Sequence, residues 1–203
     1  MARQSALWGW LTCLLLPLVG LLILQPIAGS ALTVDAFAAN QWHTLWTGHL
    51  LHYTAEHFIW DALMFVVFAG LLWKQEGARL WLWLLIAAPL ISVFVFLVEP
   101  GLLEYRGLSA LDTMLFARYC LGLCFGGGMV DRWLFGVLPV TGLSLKLGYE
   151  FLSGSTLFVS DLGAGVVALP SAHLAGLLLG VVWALARRSK WLGQSATNAE
   201  VVL

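Results

Sequence analysis

Six stretches of predominantly apolar residues constrain this sequence more than any other feature. A helix needs roughly 20 such residues to cross the hydrocarbon core of a bilayer. The stretches are separated by polar or turn-forming residues, and they run over residues 6–26, 50–73, 79–98, 108–130, 132–152 and 165–186. We therefore predict an all-α polytopic membrane protein, with residues 1–203 forming a single domain of six transmembrane helices.

The composition favours lipid over water as the surroundings of this chain. Of its 203 residues, 61% are hydrophobic and 10% are charged, whereas soluble domains carry about 25% charged residues. A formal net charge of −1 without a basic patch predicts no nucleic-acid partner. The three cysteines, Cys13, Cys120 and Cys124, lie within apolar stretches, and we predict neither disulfides nor a metal site from them.

Basic residues predict the orientation of the chain in the membrane. If the N-terminus lies in the cytoplasm, seven of the ten Lys and Arg residues are also inside: Arg3, Lys74, Arg79, Arg132, Arg187, Arg188 and Lys190. Arg106 lies clearly outside, while Arg118 and Lys146 fall within spans. An excess of basic residues marks the cytoplasmic side, so we predict that both termini are cytoplasmic and that residues 187–203 form a short polar tail there.

The N-terminal third contains one span and one outer loop. The first apolar stretch could be mistaken for a signal peptide, but it is longer than the usual signal core of about 7–15 residues, so we interpret it as a retained helix. Residues 27–47 are too polar and interrupted to span a membrane. They are predicted to form a loop on the outer side, with an interfacial helix around residues 34–42.

Three spans carry polar residues that are costly in lipid and are therefore candidates for a functional site. The second span begins with His52, His57 and Asp61. His57 and Asp61 are four residues apart and share one helix face. On an uninterrupted helix His52 points about 140° away from His57, so it need not serve the same site.

The fourth span begins with Ser109, directly after Gly107 and Leu108. Backbone N–H groups at a helix N-terminus lack helical partners and favour negative charge. A serine at this position combines a nucleophile with an environment that suits an oxyanion. Asp112 and Thr113 follow one turn later and are predicted, with His52, to line a wet cavity; a packing role for Asp112 stays open.

The sixth span carries His173 on the same face as Gly176 and Gly180. Two glycines four residues apart let another helix approach closely. The histidine therefore projects from the face that packs against a neighbour. Close approach would bring its ring within about 2.6–3.2 Å of a serine hydroxyl, the distance that a general base requires.

Together the three segments resemble the rhomboid family of intramembrane serine proteases. The family patterns are H-x4-H-x3-N, G-x-S-G and A-H-x-x-G. This chain has His52-x4-His57-x3-Asp61, Gly107-Leu108-Ser109-Ala110 and Ala172-His173-Leu174-Ala175-Gly176. The stretch from Tyr105 to Ser109 and the small size look most like the bacterial rhombosortase branch.

The resemblance implies a six-helix rhomboid-like bundle with a Ser109–His173 dyad, without a third triad member, metal or cofactor. It implies that the Ser109 N–H, with Gly107 and Leu108 shaping its turn, stabilises the oxyanion together with His57. The expected substrate is a membrane-anchored protein cut near the outer face of a bacterial inner membrane. In the rhombosortase branch this cut processes C-terminal glycine-rich sorting tails.

Two residues depart from the family patterns. Ala110 replaces a glycine, and Asp61 replaces an asparagine that would donate to the oxyanion. An ionised Asp61 cannot donate, so it would have to be protonated or to orient His57 instead. These departures keep open a catalytically inactive rhomboid-like binding protein. Two further alternatives are a haem-binding redox protein, which would use several of the histidines His49, His52, His57 and His173, and a small transporter.

Overall fold

The computed structural model describes residues 2–157 and 166–200, and long helices dominate it. In chain order the elements are α1 Ala2–Val19, continued by a π-helical turn over Gly20–Leu24, β1 Leu32–Thr33, α2 Val34–Ala38, α3 Thr44–Thr47, a 3₁₀ turn over Gly48–Leu50, α4 Ala55–Glu76, α5 Arg79–Val98, β2 Glu104–Tyr105, α6 Ser109–Gly126, a π-helical turn over Asp131–Val137, α7 Leu138–Ser153 and α8 Pro170–Glu200.

Four helical segments of the described chain are long and apolar enough to cross a membrane. They are Leu7–Leu24, Ala55–Glu76, Arg79–Val98 and Pro170–Arg188, and they correspond to predicted spans one, two, three and six. The prediction of a helical protein with membrane-spanning segments is confirmed at this level. Helices α6 and α7 overlap predicted spans four and five, but α7 has only 16 residues and α6 carries Asp112 and Arg118 along its length.

Two helix boundaries differ from the prediction for clear physical reasons. Helix α4 begins at Ala55 rather than near residue 50, because the Thr54 hydroxyl accepts a hydrogen bond from the His57 N–H at 3.2 Å and caps the helix. Helix α8 begins at Pro170, whose fixed φ suits the first helical position. It then continues as helix through most of the predicted polar tail, as far as Glu200.

A small antiparallel sheet ties the outer loop to the segment that precedes Ser109. Leu32 pairs with Tyr105, and Thr33 pairs with Glu104. Thr33 also caps α2, since its hydroxyl accepts a hydrogen bond from the Ala36 N–H at 3.0 Å. A short helix thus forms within the predicted range 34–42. The strand pair fixes the chain shortly before α6 starts.

Helix α6 is the central helix of the described bundle and contacts α4, α5, α7 and α8. Its buried side chains include Ala110, Met114 and Ala117. Gly176 of α8 lies so close to the carbonyl oxygen of Ala110 that an added Cβ atom would overlap it. A Cβ atom at Gly180 would lie 2.6 Å from the carbonyl oxygen of Met114. The two glycines therefore bring the backbones of α6 and α8 together.

A charge cluster joins three helices about halfway along α6. We name Glu76, Arg118 and Arg187 the Glu76 cluster. The Glu76 carboxylate accepts a hydrogen bond from the fully buried Arg118 guanidinium and lies 3.1 Å from Arg187 Nε. The Arg118 guanidinium also lies over the ring of Trp183, 5.3 Å from its centroid. Glu76 therefore compensates the buried charge of Arg118 inside the bundle.

Candidate active site

A cavity of about 1060 Å³ opens where α4, α6, α7 and α8 meet. Its wall contains six of the predicted site residues: His57, Asp61, Ser109, Asp112, Thr113 and His173. The wall also includes Lys146 and Glu150 of α7, together with apolar residues of all four helices. The polar residues of predicted spans two, four and six therefore converge on one space, although they are far apart in the sequence.

Ser109 is the first residue of α6 and is half-buried at the edge of this cavity. The turn before it depends on Gly107, whose φ of +118° is unfavourable for any other residue. A Cβ atom at Gly107 would also lie 2.8 Å from His57 Nε2. Gly107 thus allows His57 to approach the start of α6. The described residues include no hydrogen bond between the Ser109 hydroxyl and His173, an interaction that often tightens only when substrate binds.

The register of α8 against α6 places His173 level with Ser109. Gly176 faces Ala110 and Met114, and Gly180 faces Met114 and Arg118. Both contact positions advance by four residues, so the two helices run parallel. One turn earlier on each helix, His173 is therefore near the start of α6. This register is the consequence of the glycine face that the sequence analysis identified.

His173 makes its strongest contact with a residue that the sequence analysis did not select. Its Nδ1 atom lies 2.8 Å from Glu150 Oε2. The other carboxylate oxygen, Glu150 Oε1, accepts a hydrogen bond from Lys146 Nζ at 2.6 Å. Because a carboxylate only accepts, the proton of a neutral His173 ring resides on Nδ1. The other ring nitrogen, Nε2, then has a free lone pair.

The sequence itself carries a signal that marks Glu150 as a candidate site residue. Lys146 and Glu150 are four residues apart within predicted span five, so they share a helix face. An intramembrane ion pair is costly enough to mark a candidate site. The contact with His173 was not predictable, because it depends on how α7 is rotated against α8.

Asp61 forms the second polar centre of the cavity. Its Oδ2 atom accepts hydrogen bonds from the backbone N–H groups of Leu108 at 2.8 Å and Ser109 at 3.1 Å. The same oxygen lies 3.2 Å from His57 Nε2 and 3.3 Å from His52 Nε2. This one carboxylate oxygen of Asp61 therefore contacts two backbone N–H donors and two imidazole rings.

This arrangement differs from the prediction at two residues. The Ser109 N–H, which the sequence predicts to be free for an oxyanion, has Asp61 as its partner. His52 was expected to point away and to line a cavity, yet it contacts Asp61 and does not belong to the cavity wall. The reason is that α4 starts only at Ala55. His52 therefore lies in the preceding loop, where helical geometry does not set its direction.

Asp112 and Thr113 occupy the cavity wall one turn below Ser109. The Thr113 hydroxyl donates a hydrogen bond to the Ser109 carbonyl oxygen at 2.8 Å. Both carboxyl oxygens of Asp112 are buried and lack a hydrogen-bond partner within the described part of the chain. Thr113 therefore supports the first turn of α6, whereas Asp112 presents an unpaired polar group to the cavity.

Tyr53, Glu104 and Arg106 lie on the loop side of the cavity. Arg106 Nε donates to Glu104 Oε1 at 2.5 Å, and its guanidinium lies over the Tyr53 ring, 5.2 Å from the centroid. Burial, assisted by the nearby Glu104 charge, raises the pKa of Tyr53 to about 12. Tyr53 is therefore a neutral hydroxyl donor, bonded to the Glu104 carbonyl oxygen at 3.2 Å.

His49 lies outside the cavity and has a separate environment. Its Nε2 atom lies 3.0 Å from both the Ala88 carbonyl oxygen and the Ser92 hydroxyl. Burial lowers its pKa to about 4, so the ring is neutral at pH 7. His49 joins the outer loop to α5 and does not face His173.

In its described part the protein is helical, with four helices able to cross a membrane. Its cavity is lined mainly by apolar residues, and the wall contains a serine and a histidine, each with a buried carboxylate beside it. Neither a protein-family model nor a curated protein matches the chain.

Proposed function

We propose that this protein is an intramembrane serine endopeptidase of the rhomboid type, with Ser109 as nucleophile and His173 as general base. The observation that carries the proposal is the parallel packing of α6 and α8. Through Gly176 and Gly180 it brings a serine at a helix start and a histidine into one cavity. The lone pair on His173 Nε2 is suited to take a proton from a serine hydroxyl.

The reaction follows from these two residues. His173 accepts the proton of the Ser109 hydroxyl while the oxygen attacks the scissile carbonyl, giving a tetrahedral intermediate and then an acyl-enzyme. His173 returns the proton to the leaving amine. Water reaches the acyl-enzyme through the polar side of the cavity and releases the product.

The negative oxygen of the intermediate requires donors, and those near Ser109 now surround Asp61 Oδ2. They are the Ser109 N–H and the His57 ring. A substrate oxyanion would replace the Asp61 carboxylate as their partner, since both are negatively charged oxygens. A preorganised donor of this kind typically contributes about 100–1,000-fold to kcat.

The parallel direction of α6 and α8 also supports six spans. Because both helices run the same way, the chain between them must return across the bundle. We assign this return to the π-helical turn and α7, over residues 131–153. The basic residues then put both termini in the cytoplasm and the cavity on the outer side of a bacterial inner membrane.

The proposed substrate is a membrane-anchored protein. Residues of α4 and α7, including Trp60, Met64 and Leu143, form part of the cavity wall, so an apolar segment can reach Ser109 from the lipid between these helices. A cut near the outer face would suit the processing of C-terminal sorting tails, the role of the rhombosortase branch.

Labelling with a fluorophosphonate probe tests the proposal directly. We expect the purified protein to be labelled, and Ser109→Ala and His173→Ala to abolish labelling. Ser144→Ala is the matched control, because Ser144 is exposed on α7 and, among the described residues, bonds only to the Val140 carbonyl oxygen. Equal labelling of Ser109→Ala and the parent protein would contradict the proposal.

A second candidate function is that of an inactive rhomboid-like binding protein. The contact of Asp61 with the Ser109 N–H favours it, because an ionised carboxylate at that position repels a developing oxyanion. This alternative predicts that the folded parent protein is not labelled. It further predicts that Asp61→Asn, which removes the charge, gains labelling.

A further inference from the structure

We propose, building on the function proposed above, that Glu150 is a positioning residue for His173 and that Lys146 keeps it ionised. The site would then be a triad of serine, histidine and glutamate rather than a dyad. Glu150 does not touch the substrate or the reacting atoms. It acts through the imidazole ring by holding its orientation, its tautomer and its positive charge.

The division of the two carboxylate oxygens supports this role. Oε2 contacts His173 Nδ1 at 2.8 Å, while Oε1 is bonded to Lys146 Nζ at 2.6 Å. Lys146 Nζ lies 3.5 Å from Nδ1 itself. With its proton on Nδ1, the ring presents the basic nitrogen Nε2 to Ser109. A carboxylate on the opposite nitrogen is the arrangement that fixes the tautomer in serine hydrolases.

Burying the Glu150 carboxylate costs free energy unless charged or polar partners compensate it. Its side chain is 1% exposed, whereas that of Lys146 is 19% exposed. An i,i+4 pair that only stabilised α7 could lie on the exposed face of the helix, where it would avoid desolvation. Here the pair faces the cavity and meets a histidine of another helix.

The packing of α7 holds the carboxylate in place. Leu143 and Leu147 lie on the same side of α7 and are buried against Ala117 of α6. The Glu150 carboxylate therefore belongs to a helix that is packed against α6, and not to a loop. When His173 takes the proton of Ser109, its positive charge forms within hydrogen-bond distance of Glu150, and the ion pair stabilises it.

The test measures the rate of fluorophosphonate labelling between pH 5 and pH 9 for the parent protein and its variants. Glu150→Gln keeps the size of the side chain and removes its charge. We expect its labelling rate to fall by about 10–100-fold, the loss that is typical when a partner that orients a metal-bound histidine is removed. We also expect the midpoint of its pH profile to move to lower pH, because the protonated ring loses its counter-ion.

Two further variants separate positioning from folding. Glu150→Ala should lose labelling, and added formate should restore part of it by replacing the missing carboxylate, which a purely structural role would not allow. Asp35→Asn is the control for the loss of a carboxylate charge, because Asp35 is exposed on α2 and does not belong to the cavity wall. It should keep the parent rate and midpoint.

The outcomes distinguish this inference from the function on which it depends. A parent protein without Ser109-dependent labelling would overturn the proposed function. Normal labelling of the parent with an unchanged rate and midpoint in Glu150→Gln would overturn only the role of Glu150. A slower Glu150→Gln with an unchanged midpoint, and no formate rescue of Glu150→Ala, would assign Glu150 to packing and would equally overturn the positioning role.

Discussion

Asp61 Oδ2 makes four polar contacts and connects α4 to the start of α6 and to the loop before α4. It accepts the N–H groups of Leu108 and Ser109 and lies beside the rings of His52 and His57. It therefore serves as the cap of α6, although it belongs to α4. One of the two residues that depart from the rhomboid patterns therefore also fixes where the proposed nucleophile lies.

Replacing Asp61 should therefore affect stability before it affects chemistry. We expect Asp61→Ala to lower the free energy of unfolding by on the order of 3 kcal/mol, because two charge-assisted hydrogen bonds are lost. Asp61→Asn should cost less, since its amide oxygen can still accept. The measurement is unfolding in denaturing detergent. Asp112→Ala is the control, because the Asp112 oxygens have no partner among the described residues; an equal loss there would contradict this assignment.

His49 provides a pH-dependent contribution to stability. Its pKa falls from an ordinary value of 6.5 to about 4 because burial disfavours the charged ring. A depressed folded-state pKa contributes stability that is complete above pH 6.5 and is lost as the pH falls towards 4. We expect a loss of on the order of 3 kcal/mol over this window. His49→Gln should lack this part of the pH dependence, and identical profiles for both proteins would contradict it.

At the scale of elements, the close contact of α6 and α8 determines the alignment of the site. Gly176 lies against the Ala110 carbonyl oxygen, one residue after Ser109. Any side chain there would push the two helices apart and separate Ser109 from His173. A substitution at Gly176 should therefore lower both the stability of the protein and the reactivity of Ser109.

Gly176→Ala tests this coupling. We expect a loss of about 1–3 kcal/mol from overpacking, together with slower labelling of Ser109, measured by unfolding and by probe kinetics. Gly148→Ala is the control, because an added Cβ atom at Gly148 of α7 meets nothing within 4 Å. That variant should be neutral or more stable by up to about 1 kcal/mol. Similar losses for both variants would show that helix propensity, not packing, determines the effect.

The helices were more predictable from the sequence than their ends or their contacts. Apolar length alone located the four helices of the described chain that can cross a membrane, because a helix needs about 20 apolar residues to span the bilayer core. The start of α4 depended on one hydroxyl, Thr54, and the β1–β2 pair on two residues per strand. Such short features leave almost no periodic signal in a sequence.

The candidate site was predictable to a similar degree. Ser109, His57, Asp61 and His173 lie around one cavity. The family resemblance had grouped them beforehand, and their catalytic roles stay predictions. The partners of these residues were not predictable, since Glu150 and His52 meet them only through the rotation of α7 and the loop before α4. The spacing of a motif shows which residues share a face of one helix, whereas these contacts join residues of different segments.

At the scale of the whole molecule, the Glu76 cluster links α4, α6 and α8. The charges of Glu76 and Arg118 are buried and compensate each other, while Arg187 is partly exposed. Removing one member leaves the others without full compensation, which typically costs about 3–5 kcal/mol. Apolar replacement of a complete pair typically restores most of this loss.

We expect Glu76→Gln to lower the free energy of unfolding by about 3–5 kcal/mol and the double variant Glu76→Leu with Arg118→Met to recover most of it. Glu104→Gln is the control, because the Glu104–Arg106 pair is partly exposed and such pairs contribute about 1 kcal/mol or less. Unfolding in denaturing detergent measures all three. Equal effects of Glu76→Gln and Glu104→Gln would contradict the importance of burial.

The Glu76 cluster also has a consequence for biosynthesis. The two partners of Glu76 are encoded 42 and 111 residues after it. At about 5–20 residues per second, the second partner emerges from the ribosome roughly 5–20 seconds after the acid. The acid must stay near water or the insertion machinery during this interval, so the core closes only when the last helix arrives. The timing of translation, and not the sequence alone, therefore enters the assembly of this protein in its membrane.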